Sequence, residues 1–520
     1  MTERVVVIGA GMGGLACAAL LAARGCHVSV VEQAEWVGGK ARRVRVDGAD
    51  IDGGPTVFTL RDVFDGIFES AGARLDDYVN VRRAEVLARH SWGDGPILDL
   101  FADTGRSEEA VGNFAGAKAA ADFRAFCQEA QAIHASLDAT MMRAPKPASP
   151  LALVWRMGLS EMKRLMSMHP YVSLWRALGN RFADQRLRQL FARYSTYCGS
   201  SPFEAPATLM LIAHVEAMGV WLIDGGMAAL ATALQKLGES HGAQYRFGEA
   251  VERIETSGGR ASGVILANGE RIAADAVVAN ADPAAIASGG FGAVAAKAVD
   301  AAPAAKRSLS ALVWYAHSTT QGFPLLRHNV FFSTDYRREF ADIAGGNTPA
   351  APTVYVCAQD RDAVAGAPPP GGRERLQIIV NAPANGDTRD YSSEEIEQCT
   401  RAMTHSLARC GLELEDPFAH QLATPNTFER LWPSTGGALY GPASHGWAAS
   451  FRRQGTRTAI PGLYCAGGST HPGAGVPMAA LSGQLAAATV MHDLASTRKS
   501  YPAATAGGMS MPSVQTGGTG

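Results

Sequence analysis

Long apolar runs are missing from this sequence. No stretch reaches the ~20 uninterrupted apolar residues that cross a bilayer as a helix, so any membrane contact is expected to be peripheral. Charge of one sign is missing too: 47 Lys and Arg stand against 49 Asp and Glu, a formal net charge of −2. With no long basic run either, non-specific attraction to nucleic acid is excluded. The eight cysteines form no CxxC pair and no cluster with metal-ligand spacing. They read as buried reduced thiols of an intracellular protein, without a disulfide scaffold or a metal site. There is no internal repeat. The chain enters an apolar strand almost at once, which leaves no room for a signal peptide.

What remains is a chain of 520 residues, 47% of them apolar, enough for two or more compact units with a large core. Its organising stretch is VVVIGAGMGGLACAALL, Val5 to Leu21. Val5 to Ile8 has the β-branched pattern of a strand buried on both faces. Gly9, Gly11 and Gly14 follow with GxGxxG spacing and open an Ala- and Leu-rich helix. Gly9 allows the tight turn, Gly11 admits a pyrophosphate close to the backbone, and Gly14 brings helix and strand together. The helix N-terminus offers free N–H groups to phosphate. A second strand, His27 to Val31, ends in Glu32, placed for a ribose hydroxyl and unfavourable to a 2′-phosphate. Ala10 and Gly13 complete the turn.

Two further loops, Val37-Gly38-Gly39-Lys40-Ala41 and Asp52-Gly53-Gly54-Pro55-Thr56, have no use in an NAD dehydrogenase. In two-dinucleotide-binding flavoproteins the first closes over the pyrophosphate and the second approaches the flavin ring, so FAD is the expected cofactor, with Gly39, Lys40, Gly54, Pro55 and Thr56 in contact. Later, Gly462 to Gly468 runs a strand into a glycine turn, and Ser469-Thr470-His471-Pro472-Gly473-Ala474-Gly475-Val476-Pro477-Met478 leads into a helix from Ala479 to Met491. Such a helix end aimed at the flavin pyrimidine stabilises the negative charge that builds up on reduction. Gly467, Gly468, Gly475, Val476, Pro477 and Met478 are therefore candidate contacts, and His471 a candidate base. Asn280, after the buried strand Ala276 to Ala279, is another contact. In FAD proteins of this architecture a valine placed like Val251 presents its backbone to adenine.

The fold class expected is α/β (α+β): a Rossmann-like FAD-binding domain of the two-dinucleotide-binding flavoprotein type, with inserted mixed α/β and helical domains. Segments 1–105, 219–290 and 456–497 would build the FAD-binding domain. Segment 106–218 would be a helical insertion facing substrate or membrane, 291–455 a substrate-binding domain, and 498–520 a disordered tail. Within the insertion, Leu151 to Arg181 mixes large apolar residues such as Leu153, Trp155, Met162 and Met168 with Arg156, Lys163, Arg164 and Arg176. That composition suits either a pair of core helices or an amphipathic surface on a bilayer. Ser392 or Ser393 is the expected N-cap of a helix from Glu394 to Cys410.

GAGMGGLACA, Glu32, VGGKA, DGGPTV and STHPGAGVPM together resemble the bacterial carotenoid desaturases of the phytoene desaturase type. RYSTYCGSSPFEAP and GVWLIDGGMAAL look most like the 1-hydroxycarotenoid 3,4-desaturases of purple photosynthetic bacteria. One departure stands out: Gly468 occupies a position where many related flavoproteins carry an acid for the ribityl chain. The resemblance implies FAD-dependent removal of hydride and proton across a C–C bond next to a polyene, in a long apolar tunnel. It also implies a carotenoid substrate, oxygen or a quinone as electron acceptor, and a cytoplasmic protein resting on the inner face of the cell membrane. A substrate hydroxyl would need a partner; His214, Glu216, Trp221 and Asp224 are the candidates. Alternatives left open are a phytoene desaturase or carotenoid isomerase of the same family, an amine-oxidase-like flavoenzyme, and a flavin-free carrier of prenylated proteins on the same scaffold.

Overall fold

The computed structural model describes residues 2–93, 95–167 and 171–500, with the backbone alone at 164, 165, 167 and 497–500. The first strand, Arg4–Ile8, is buried from Val5 onward and lies at the centre of a five-stranded parallel sheet. The order is Leu463–Cys465, Ala276–Ala279, Arg4–Ile8, His27–Val31, Gln244–Arg246. Successive side chains of a strand point to opposite faces. Val5 and Val7 accordingly pack with the helices Met12–Ala23, Gly226–Ser240 and Val476–Ser500, while Val6 and Ile8 pack on a three-stranded antiparallel sheet. That smaller sheet is Val251–Ser257, Arg260–Leu266 and Arg271–Ala273. Helix Met12–Ala23 is buried from Met12 to Ala22; hydrophobic all round, it belongs inside a core. The helix after Leu60 runs Arg61–Ser70 and buries Val63, Phe64, Ile67 and Phe68.

A second unit is built on a seven-stranded mixed sheet, ordered Ala419–Ala423, Ser310–Ser318, Glu374–Ala382, Val354–Ala358, His328–Phe331, Val86–Ser91, Leu98–Phe101. Along Ser310–Ser318 the faces again divide. Leu312, Trp314 and Ala316 join the core that includes Cys399, Met403 and Leu407 of helix Ser393–Arg409, whereas Val313 and Tyr315 face a large cavity. That helix begins at Ser392 with a capping box completed by Glu395.

The two strands Val86–Ser91 and Leu98–Phe101 correct the boundary expected at 105. Val86–Ser91 pairs parallel to His328–Phe331, so it belongs to the second sheet despite its place in the sequence. Backbone ladders decide membership of a sheet, and this one is formed with a segment far along the chain. The crossing between units falls at Val81–Arg83, paired antiparallel with Trp221–Ile223.

Between the strands Leu98–Phe101 and Trp221–Ile223 the chain is helical. It opens with two helices, Thr104–Ala115 and Ala117–Leu137, parted at Gly116 with φ 92°. The stretch from Leu151 to Arg181 is three short ones, Pro150–Met157, Leu159–Ser167 and Leu174–Gly179; Met168 lies outside the described residues. Gln185–Ala192 and Leu211–Met218 complete the helical segment, and Leu211–Met218 lines the cavity. The closing helix continues to Ser500, past the predicted start of the tail at 498, and the rest of that tail lies outside the described residues. Among the described residues no helix is long and apolar enough to cross a membrane.

Candidate active site

The two glycine turns, near the two ends of the described chain, meet. A Cβ placed on Gly13 would stand 2.8 Å from the Gly467 nitrogen, and a Cβ on either glycine would stand 2.8 Å from Asn280 Oδ1. Asn280 Nδ2 donates to the Gly9 carbonyl at 3.2 Å, so one amide braces both turns. The first loop closes on them through the Gly38 N–H, which donates to the Ala10 carbonyl at 2.8 Å. The second loop crosses the first at Gly54, where φ is +106° and a Cβ would lie 1.9 Å from the Lys40 carbonyl oxygen. Only glycine fits that crossing. Asp52 fixes the loop to helix Gly226–Ser240 by accepting from the N–H groups of Met227 (2.7 Å) and Ala228 (3.1 Å). Burial pushes its carboxyl up to about 6 against the pull of those two bonds.

Around this junction opens a cavity of about 1040 Å³. Its wall includes Gly9, Gly11, Gly13, Glu32, Gly39, Lys40, Gly54, Pro55, Thr56, Val251 and Asn280, and also Gly467, Gly468, Gly475, Val476, Pro477 and Met478. Ala10 and Gly14 stand behind it. The Ala10 N–H donates to Glu32 Oε2 at 2.7 Å, and Gly14 packs so tightly that a Cβ would lie 2.1 Å from the Gly9 carbonyl oxygen. Glu32 Oε1 accepts from the Ala34 N–H at 2.9 Å. Lys40 Nζ donates to the Leu439 carbonyl at 2.6 Å and lies over the Trp432 ring at 5.3 Å. Burial lowers its ammonium to about 8, with Asp282 partly restoring it. Gly468 offers its carbonyl to Arg453 Nη1 (3.1 Å), a buried guanidinium that also holds the carbonyls of Tyr440 and Pro442.

Leu209, Ile212, Val215, Val313 and Ile379 give another part of the wall an apolar surface, beside a buried polar cluster. Glu216 accepts from Tyr194 Oη at 2.6 Å and from Tyr197 Oη at 2.7 Å. Arg193 Nη1 donates to Tyr197 Oη at 3.2 Å, and its guanidinium lies 5.1 Å from the Tyr197 ring and 5.2 Å from that of Tyr355. Tyr355 Oη donates to Thr56 Oγ1 at 2.8 Å and accepts from His328 Nδ1 at 2.7 Å. Burial, reinforced by Arg327 and Arg193, lowers His328 to about 3, so that imidazole is neutral. Burial pushes the Glu216 carboxyl up, opposed by Tyr194, Tyr197 and Arg193. Burial also works against charge on Arg193, but Tyr197, Tyr355 and Glu216 outweigh it and hold the guanidinium protonated.

Of the four expected hydroxyl partners, only Glu216 reaches the cavity wall. His214 packs instead against the His134 ring at 5.1 Å. Trp221 is held in a strand, its N–H donating to the Phe58 carbonyl at 2.9 Å, and Asp224 is an exposed acceptor for Asn80 Nδ2 at 2.7 Å. His471 is not on the wall either. It is 2% exposed, and its Nε2 bonds the Ala144 carbonyl at 2.9 Å. Burial lowers its pKa, so it is a neutral strut between loops. Arg193, Tyr194, Tyr197 and Tyr355 went unselected from the sequence. The one signal was the polar, aromatic run Arg193 to Cys198 amid apolar segments.

A family model for flavin-containing amine oxidoreductases matches residues 12–491. The chain belongs to that family. It is 50% identical to the hydroxyneurosporene desaturase of Rubrivivax gelatinosus over 521 aligned residues, covering 99% of this chain and 98% of the relative. It is 45% identical to that of Cereibacter sphaeroides, covering 95% and 99%. Wild-type putrescine oxidase bound to putrescine superimposes with a TM-score of 0.59 at 16% identity, covering 95% of this chain and 99% of that one, a likeness of fold alone.

The wall of this flavin-containing oxidoreductase fits its cofactor. Each Glu32 oxygen accepts one backbone N–H and keeps a lone pair for a ribose hydroxyl. The glycines at the junction leave a cradle that side chains would fill: a Cβ on Gly39 would stand 3.2 Å from the Gly11 Cα.

Proposed function

We propose that this protein is an FAD-dependent hydroxyneurosporene desaturase, which introduces a C-3,4 double bond into a 1-hydroxy acyclic carotenoid such as 1-hydroxyneurosporene. The observation that carries the proposal is the 50% identity to a hydroxyneurosporene desaturase along nearly the whole of both chains. The merged glycine turns beside a large cavity with an apolar stretch of wall are the architecture such a reaction needs. In this reading Glu32 holds the adenosine ribose, the turn from Gly9 to Gly14 and the Gly39–Lys40 loop hold the pyrophosphate, Val251 meets adenine, and Thr56 with Gly475 to Met478 borders the ring.

Bound flavin supplies the two-electron acceptor for the hydride lost from carbon, and oxygen or a quinone takes the electrons afterwards. The chain's own work is positioning. Leu209, Ile212, Val215, Val313 and Ile379 exclude water from the polyene, and Gly473 and Gly475 leave room for it. The adjoining polyene delocalises the charge that develops at carbon, so the proton from the neighbouring carbon needs no strong base. His471, turned to Ala144, takes no part.

The substrate of such an enzyme resides in a bilayer. Leu151, Trp155 and Leu159 are 79%, 90% and 72% exposed, an apolar patch on the helical segment that suits peripheral seating on a membrane, with exposed Lys163 in the same helix as Leu159. Arg156 is already bonded to the carbonyls of Thr140 and Pro145. Anaerobic mixing of the flavin-loaded protein with 1-hydroxyneurosporene in detergent should bleach the flavin absorbance near ~450 nm, with loss of two hydrogens from the pigment by mass. Bleaching by an amine and not by the carotenoid would sink the reading, and a mass-neutral product would indicate an isomerase.

A further inference from the structure

We infer that Arg193 and Glu216 together bind the terminal hydroxyl of the substrate and so select which C–C bond is oxidised. The inference rests on the desaturase reading. Apolar contacts along a polyene are non-directional, so a greasy wall alone lets an acyclic carotenoid slide lengthwise. A directional contact must set the register. In a 1-hydroxycarotenoid only one methylene separates the hydroxyl-bearing carbon from the C-3,4 bond, so the anchor has to stand beside the reacting bond and not at a remote end of the cavity.

The buried polar cluster occupies such a place. Arg193 lies on the ring of Tyr355, and Tyr355 donates to Thr56 of the Asp52–Thr56 loop at 2.8 Å. Arg193, Glu216, Tyr355 and Thr56 all line the cavity. The hydrogen-bonding capacity also matches. An alcohol donates once and accepts. The Glu216 carboxylate receives two phenols and has lone pairs left, and among the described residues the Arg193 guanidinium makes a single hydrogen bond, to Tyr197. The alcohol can donate to Glu216 and accept from Arg193. Stability gives no reason for the pair. A buried guanidinium and carboxylate are often no better than apolar residues of the same volume, and here they stand beside the apolar wall residues Leu209, Ile212 and Val215.

The test compares wild type with Glu216→Gln and with the neutral double variant Arg193→Met/Glu216→Gln, each with flavin bound. Equilibrium binding of 1-hydroxyneurosporene and of neurosporene in detergent is followed by the visible absorption of the pigments, alongside the position of the new double bond by mass spectrometry. We expect the preference for the hydroxylated pigment to fall about 10²-fold in both variants, with desaturation spread over more than one bond. Arg193→Lys should restore part of the preference. Equal weakening for both pigments, or an unchanged ratio, would overturn the inference. If the double variant fails to fold, Tyr197→Phe, which keeps both charged residues and removes the hydroxyl that links them, must still lower the ratio. Turnover by the wild type tests the desaturase reading; the change in binding ratio between wild type and variant tests the anchor.

Discussion

Two parts of the cavity wall are built by opposite means. The glycine-turn side is made largely of backbone, with turns at 9–14, 38–39, 54 and 467–475, and with Glu32 and Lys40 among its charged residues. The other side is made of side chains, and its polar spot joins Arg193, Glu216, Tyr355 and Thr56 from four separate segments. A backbone site demands that residues be absent, and it fails when any side chain intrudes. A side-chain site demands that residues be present, and it can be retuned one contact at a time.

That contrast breaks first at Gly54. Gly54→Ala would force a Cβ to 1.9 Å from the Lys40 carbonyl at φ +106°, a strain of roughly 3 kcal/mol or more. The purified variant should carry almost no flavin, as read from the ratio of ~450 nm to ~280 nm absorbance; a normal ratio would mean that the two loops do not cross as described. The exposed patch at Leu151 and Trp155 should behave in the opposite way. Leu151→Ser/Trp155→Ser removes two side chains each worth about 1.5–3 kcal/mol when buried. Binding to anionic vesicles, measured by co-sedimentation, should drop about 10²-fold while the flavin ratio stays put.

The smallest effect on flavin content concerns Glu339, bonded to the cavity residue Thr353. Its Oε2 accepts from Thr353 Oγ1 at 2.7 Å, and burial, only partly offset by the Thr353 bonds, pushes the carboxyl from 4.5 up to about 8. A folded-state value above the unfolded one means that the neutral form stabilises the fold. That stability is complete below pH 4.5 and is lost as pH rises through 8. The loss should be on the order of 1 kcal/mol per pH unit. Wild-type Tm should therefore decline across this window, and Glu339→Gln should flatten the decline without altering flavin content. An equally steep decline in the variant would refute the assignment.

The same contrast explains what could be read from the sequence. Val5 to Ile8, the glycine spacing and Glu32 are short-range signals, because strand, turn and helix follow one another directly. Their meeting with Gly467 was legible because a second turn of the same kind stands before the last helix. The strand Val86–Ser91 was assigned to the wrong unit because its partner, His328–Phe331, lies far along the chain. His471 drew attention by sitting in a conspicuous motif, yet its ring turns to Ala144. Arg193 stayed hidden for the converse reason. Tyr197 is one helical turn away, but Glu216 and Tyr355 reach it only through the fold.

Asn280 has a consequence for how the molecule is made. Its amide touches residues from the opening turn and from the stretch just before the final helix. A chain emerging from the ribosome therefore has only one of the two turns for nearly the whole of synthesis, and the junction forms only when the Gly467 segment arrives. A chain cut short before Gly467 is expected to hold no flavin.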